Sequence, residues 1–158
     1  MTDDALAEIA SAVTLVTIAD GRDDVGVTVS AFCPVSVNPP LVALCLIGGS
    51  YPAELLARLD RFAITVLAAG QRVLAGRFAL SGRPGARHLL EGVPHHRGEH
   101  SGALIPTGGL VTFECEVDQR IPAGDHLLVI GRILAVQSGD GRGSPLLRFR
   151  GRYPSLAS

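Results

Sequence analysis

The sequence predicts a mainly β fold with a few short helices, arranged as a closed or partly closed antiparallel barrel. Three observations carry that expectation. Some seven short runs of apolar and β-branched residues are punctuated by Gly, Pro, Asn and Asp, and such runs have strand length while such punctuation marks tight turns. Only two or three segments carry a helical period, and they do not alternate regularly with the strands, which argues against a βαβ architecture. The 158 residues are 47% hydrophobic and 18% charged. A chain of that size and composition buries a core without disulfides or a structural metal, and it reads as one domain over 1–158.

Taken in order, VTLVTIA at 13–19 and VGVTVSAF at 25–32 are strands, and the ADGRDD turn between them makes a hairpin. VSVNPPLVAL reads as a strand entering a turn stiffened by Pro39 and Pro40, neither of which can donate to a ladder. LVALCLI at 41–47 is the next strand. In YPAELLARLDRF, Pro52 stands at a first helical position and Leu55, Leu56 and Leu59 follow at three- and four-residue spacing, the pattern of a short amphipathic helix. FAITVLAA at 62–69 is a strand and QRVLAGRFAL a second short helix. From Ser81 to Gly109 the period dissolves into Gly, Pro, His and Arg, and a loop of that length is usually functional or mobile. GLVTFECEVDQRI, DHLLVIGRILAVQ and PLLRFRGRY close the chain as strands, separated by PAG and SGDGRGS.

A formal net charge of -1 offers no general attraction for a phosphate backbone or an anionic lipid surface, so neither nucleic acid nor a membrane is an expected partner. MTDDALAEIA carries acids where a secretory signal carries Lys or Arg, and no apolar run approaches the ~20 residues of a membrane helix. The expected location is the cytoplasm. Cys33, Cys45 and Cys115 are odd in number, widely spaced and flanked by apolar residues, which reads as buried, inert thiols in a reducing compartment.

Several clusters invite chemistry. Thr28, Ser30 and Ser36 bring hydroxyls into apolar surroundings, and strand alternation puts Thr28 and Ser30 on one face. That face either lines a ligand pocket or satisfies backbone groups. Gly48-Gly49-Ser50 precedes the Pro52 helix and could expose backbone N–H groups to an anion. His95, His96 and His100 invite a metal, but a Gly/Pro-rich loop offers no scaffold to fix ligand geometry. No metal site is expected. His126 stands after Gly124-Asp125 at the mouth of LLVIG; its residues alone leave open a structural, ligating or substrate-facing role.

The order G-V-T-V-S-A-F-x-x-V-S-V-N-P-P-L-V, a strand ending C-L, RFAITVLA, LAGRFA, GDHLLVIGRI and PLLRFRGRY, from about Ile9 to Tyr153, resembles the flavin reductase family with its split-barrel flavin-binding fold. These are the small homodimeric reductases of two-component monooxygenases. The resemblance implies FMN or FAD, and NADH or NADPH, with hydride passing from nicotinamide to flavin and the reduced flavin passing to a partner oxygenase. It assigns Thr28, Val29, Ser30 and Ala31 to the flavin ring, with Ser36 and Val37 as the following contacts. Cys45, Leu46, Ile47, Gly48, Gly49 and Ser50 lead to the ribityl and phosphate, and Arg77 with Phe78 is the basic-aromatic pair near that phosphate. His126, the candidate catalytic residue, faces the nicotinamide, and Tyr153 closes that region. Direct hydride transfer needs two positioned rings rather than a nucleophile, which suits a chain without a recognisable triad. The sequence departs from the family in three places. Gly48 to Pro52 lacks the usual basic and hydroxyl side chains of the phosphate loop; Thr65 stands for a common Asn; Arg132 stands for a common Glu. These departures suit a weakly held, diffusing flavin, and also a non-reducing relative that carries flavin or another planar ligand.

Overall fold

A computed structural model describes residues 1–140 and 143–156, so two positions of the SGDGRGS loop lie outside the described residues. After helix α1 (Thr2–Leu6) and strand β1 (Ser11–Ala12), the chain forms β2 (Thr14–Ala19), β3 (Asp24–Val29), β4 (Phe32–Val37) and β5 (Pro40–Ile47). Helix α2 (Tyr51–Arg58), β6 (Arg61–Val66) and a 3-10 turn (Ala69–Gln71) lead into α3 (Arg72–Ala79). Then come α4 (Ala86–Leu89), β7 (His95–Arg97), β8 (Leu104–Pro106), β9 (Val111–Ala123), β10 (His126–Ser138) and β11 (Leu147–Arg148).

One seven-stranded antiparallel sheet runs in the order β3-β2-β6-β9-β10-β5-β4. Its two edge strands, β3 and β4, are consecutive in the chain, joined only through Ser30 and Ala31. A sheet whose opposite edges are linked by so short a connection has to curl until they meet. Ala31 makes the corner: the Phe32 N–H donates to the Ser30 carbonyl at 3.0 Å, and the Cys45 N–H donates to the Ala31 carbonyl at 3.0 Å. Beyond that contact β3 lies beside β5 with no ladder between them among the described residues. The result is a barrel with an open seam, the partly closed form of the expected architecture.

The barrel interior is filled by Val16, Ile18, Leu44, Leu46, Phe62, Ile64, Cys115 and Val129, and α2 plugs one end with Leu55 and Leu56. Each of those two leucines, wholly buried, contributes about 1.5–3 kcal/mol. A second cluster, containing Val13, Leu15, Leu67, Leu74 and Phe78, covers the outer face of β2 with α3. Strand β2 is therefore buried on both faces, and its continuous apolar run reflects that. The long β9–β10 ribbon bends at register shifts beside Gly131 and Ile133. At Gly131 a Cβ would lie 2.7 Å from the Phe62 ring, so the strand passes that ring only as glycine.

Four expectations need correction. The run at 25–32 is not one strand, because the chain breaks at Ser30-Ala31 to change edges. PLLRFRGRY contributes only β11, which pairs with β1 apart from the main sheet. The stretch from Ser81 to Gly109 holds α4 and the β7–β8 hairpin rather than being a structureless loop. Polar anchors, invisible to a hydrophobic period, fix it. Asp24, with 2% exposure, accepts from Arg97 at 2.8 and 3.1 Å and from Arg87 at 2.6 Å. Buried Glu114 accepts from the Ser101 N–H and hydroxyl, each at 2.7 Å, and from the His100 N–H at 2.9 Å. Fourth, the cysteines differ among themselves. Cys115 is buried and burial pushes its thiol up to about 12, whereas Cys33 is exposed on the edge strand β4 and Cys45 is half-buried.

Asp24 yields a pH-dependent prediction. The Arg97 guanidinium, then that of Arg87, holds its carboxyl below the ordinary value of 3.8. Its contribution is thus present above about pH 4 and lost as pH falls through the depressed folded value. Asp24→Asn is expected to cost about 1–2 kcal/mol at pH 7, since the arginines left behind reach solvent, and the difference from the parent should shrink below about pH 4. Urea unfolding of both proteins at pH 7 and at about pH 2.5 measures it; a difference independent of pH would refute the linkage.

Candidate functional site

The open seam is a cleft of about 240 Å³, walled by residues 27–31 of β3 and its corner, by Cys45, Leu46 and Ile47 of β5, and by Ser50, Arg83 and His126. Two further hollows open from it. One, of about 330 Å³, is bounded by Phe78, Ala79, Ser81, Arg148 and Tyr153; the other, of about 480 Å³, by Asp23, Tyr51, Pro52 and Gly82 to Gly85. Ser50 and Arg83 line all three.

The corner that closes the barrel also dresses the cleft. The Ser30 and Ala31 N–H groups have no acceptor among the described residues. They are adjacent donors at the rim, and Ala31 is exposed. Thr28 and Ser30 both line the cleft, together with Val27, Val29 and Ala31. The Thr28 hydroxyl nevertheless donates to the Ala75 carbonyl at 2.6 Å, so its proton is committed to holding α3 against β3. Phe78 serves the same packing. It is wholly buried, and its ring lies so close to Gly26 that a Cβ there would meet it at 2.5 Å.

The opposite wall is set by register. His126 is the Cα partner of Ile47 across β10–β5 and of Ala123 across β10–β9. The turn before it is pinned to the 48–50 loop: the Gly48 N–H donates to the Asp125 carbonyl at 2.8 Å, and a Cβ at Gly48 would sit 2.9 Å from that oxygen. Gly49 then turns with φ +75° into Ser50, which caps α2 by accepting from the Ala53 N–H at 3.4 Å. Tyr51 donates to Asp20 at 2.7 Å, tying the loop to the β2–β3 turn. The His126 side chain is 39% exposed, and its Nδ1 lies 2.7 Å from Asp125 Oδ1. That contact holds the Asp125 carboxyl below its usual range and orients the ring at the rim.

The structure thus gathers Thr28 to Ala31, Cys45 to Ile47, Ser50, Phe78, His126 and Tyr153 around these hollows, whereas Gly48 and Gly49 line none of them and the Gly48 N–H is committed to the Asp125 carbonyl rather than open to an anion. It does not bring Ser36, Val37 or Arg77 there. Ser36 and Val37 lie at the far end of β4, paired with Leu41 and Pro40. Arg77 points its guanidinium to the Leu89 carbonyl at 3.2 Å and borders a separate hollow with Gln71 and Val93. Tyr153 is capped by Arg72, 5.3 Å from its ring centroid. The residue missed in the sequence is Arg83. Its signal was an arginine held between Gly82 and Pro84 in a long stretch after a helix, where a rigid backbone presents a single charge. Thr65 and Arg132, the other departures, are remote from the cleft: Thr65 pairs with Thr112 at 3.0 Å in the core, and Arg132 reaches Asp118 at 3.3 Å on the surface. Among the described residues no three His, Cys, Asp or Glu side chains converge as a metal site; His95 meets the Val93 carbonyl and His96 meets Gln137.

A planar heteroaromatic ring with acceptor atoms along one edge fits this cleft, because adjacent free N–H groups border a narrow, largely apolar slot. Residues 6–157 match the family described as the flavin reductase like domain, and the chain belongs to that family. It is similar to an NADH-dependent FMN reductase of Streptomyces nodosus subsp. asukaensis, at 33% identity over 96% of this chain and 82% of that one. It is likewise similar to the reductase component of 4-hydroxyphenylacetate 3-monooxygenase from Thermus thermophilus, at 35% identity over 97% and 93% of the two chains. The solved structure of a Streptomyces globisporus NADH:FAD oxidoreductase, in complex with NAD and FAD fragments, superposes with a TM-score of 0.91 at 28% identity, covering 99% of this chain and 91% of that one.

The pinned loop gives a second prediction. Gly48→Ala is expected to push the loop off the Asp125 carbonyl and weaken flavin binding several-fold, about 1 kcal/mol. Gly70→Ala, with no atom within 4 Å of the added Cβ, should change nothing. Fluorescence titration of both variants decides it, and equal behaviour would mean that the contact does not shape the site.

Proposed function

We infer that the protein is an NADH-dependent flavin reductase that reduces FMN or FAD and supplies the reduced flavin to a partner monooxygenase. The observation that carries the reading is the seam itself. Ser30 and Ala31, whose N–H groups have no acceptor among the described residues, line one side of a slot whose rim holds His126. When bound, the flavin supplies the hydride acceptor and the nicotinamide the donor, a hydride and a proton giving reduced flavin and oxidised nicotinamide. The chain's own work is placement. The Ser30 and Ala31 donors favour the ring edge on which negative charge grows during reduction. The walls at Val27, Val29 and Leu46 exclude water from the face of the ring. His126, steadied by Asp125, orients the second ring over the open side. Relatives named as NADH-dependent FMN and FAD reductases, and as a monooxygenase reductase component, support the choice of substrates and partner.

A homodimer is part of the proposal. Val35 and Val37, 51% and 93% exposed on edge strand β4, leave an apolar margin that a second copy would cover. Sedimentation should give twice the 16.5 kDa chain mass; a monomer at micromolar concentration would contradict this part.

Turnover tests the whole reading. Purified protein mixed with NADH and FMN or FAD should consume NADH catalytically, followed at the nicotinamide absorbance band. His126→Ala should raise the KM for NADH about tenfold and leave the flavin Kd nearly unchanged. No turnover with either flavin would favour a carrier of a planar ligand. Equal loss of both affinities would make His126 a support of the barrel.

A further inference from the structure

The charges of this chain are unevenly spread, and the imbalance lies beside the cleft. Elsewhere on the surface arginines meet carboxylates: Arg61 pairs with Glu116 at 3.0 Å, Arg120 with Asp60 at 2.7 Å, Arg132 with Asp118 at 3.3 Å and Arg150 with Glu8 at 2.6 Å. Arg72, Arg148 and Arg152 do not. Among the described residues their guanidinium groups reach neither a carboxylate nor another acceptor. One turn carries two of them: Phe149 and Arg152 exchange N–H to carbonyl bonds, both at 2.9 Å, with exposed Arg148 just before the turn and exposed Arg152 at its end. Arg72, at the start of α3, lies over the Tyr153 ring, 5.3 Å from its centroid. Tyr153 and Arg148 line the 330 Å³ hollow with Arg83, and no Asp or Glu lines it among the described residues.

The acids on this side border other openings. Asp23 stands at the 480 Å³ hollow, Asp125 is held by His126, and Asp3 shares a separate 270 Å³ hollow with Arg148 without forming an ion pair with it. Unpaired charge of one sign beside a low-dielectric cleft projects a potential into solvent that ion pairing would cancel. That potential reaches about 30 Å at about 0.01 M salt and about 10 Å at about 0.1 M. Resting on the flavin reading above, we propose that Arg72, Arg148 and Arg152 form an electrostatic funnel. It draws the anionic substrates, flavin nucleotide and nicotinamide dinucleotide, to the mouth of the 330 Å³ hollow, in a chain whose formal net charge of -1 would otherwise repel them. These arginines act before contact, speeding arrival rather than holding what has arrived. Rim charges of this kind change the association rate and its salt dependence, whereas charges in direct contact change dissociation.

Stopped-flow fluorescence on the full chain, following the binding of FMN and of FAD from about 0.01 M to about 0.3 M salt, separates association from dissociation. The parent's association rate constant should fall about tenfold over that range. The double variant Arg148→Gln/Arg152→Gln should lower it about threefold at the lowest salt, flatten the salt dependence and leave dissociation nearly unchanged. Arg61→Gln/Arg132→Gln, which removes the same charge from two paired arginines, should behave like the parent. Riboflavin, which lacks the phosphate, should associate at a rate that neither salt nor the first double variant changes. The proposal is overturned if the parent's association is insensitive to salt, or if the first double variant slows it no more than the second. It is overturned too if the loss appears in dissociation, since the arginines would then be direct contacts, or if riboflavin association slows as much as that of FMN. A parent that binds neither FMN nor FAD would fail the flavin reading itself.

Discussion

Everything distinctive in this chain follows from one constraint: the two edges of a seven-stranded sheet are consecutive strands joined by Ser30 and Ala31. The sheet must curl to let them meet, and the Cys45 to Ala31 hydrogen bond fixes where they do. Beyond that point the seam between β3 and β5 has no ladder, so backbone donors that would pair in a closed barrel stay free. The cleft is therefore a by-product of incomplete closure. Edge strands are usually a liability, and here one lines a cleft.

Around that seam the packing is arranged to hold two walls still. On one side, Thr28 spends its hydroxyl on Ala75 and Gly26 lets the Phe78 ring lie against the strand, so α3 braces β3. On the other, Gly48 sits against the Asp125 carbonyl, and β10 carries His126 into register with Ile47. Both contacts need residues that look unremarkable in sequence. A glycine in a strand and a threonine among valines do their work through close approach and a single bond.

How much of this was legible depends on the kind of signal. Strands β2, β5, β6, β9 and β10 and helices α2 and α3 announce themselves through apolar runs and the Pro52 start, because burial writes a period into sequence. The break at Ser30-Ala31 does not, since a strand that changes edges keeps its alternating residues. Nor does the stretch from Ser81 to Gly109, which is anchored through Asp24 and Glu114 by charge and hydrogen bonds rather than by an apolar face. The ordered motifs pointed to 28–31, 45–50 and His126, of which 28–31, 45–47, Ser50 and His126 line one cleft. Arg77 matches by position, but its guanidinium turns to the Leu89 carbonyl; Arg83, placed by the Gly82 turn and the acceptors at Gly26 and Leu80, is an arginine that lines the cleft.

The central claim, that the flavin ring lies along the open seam, is tested most directly by amide hydrogen exchange with and without FMN. Residues 28–31 and 45–50 should exchange more slowly with flavin present, Ser30 and Ala31 most of all, because their N–H groups gain acceptors. The far end of β4 at Val35 to Val37 and the hollow beside Arg77 should not change relative to the rest. Protection centred on either of those regions, with Ser30 and Ala31 exchanging as before, would contradict the account.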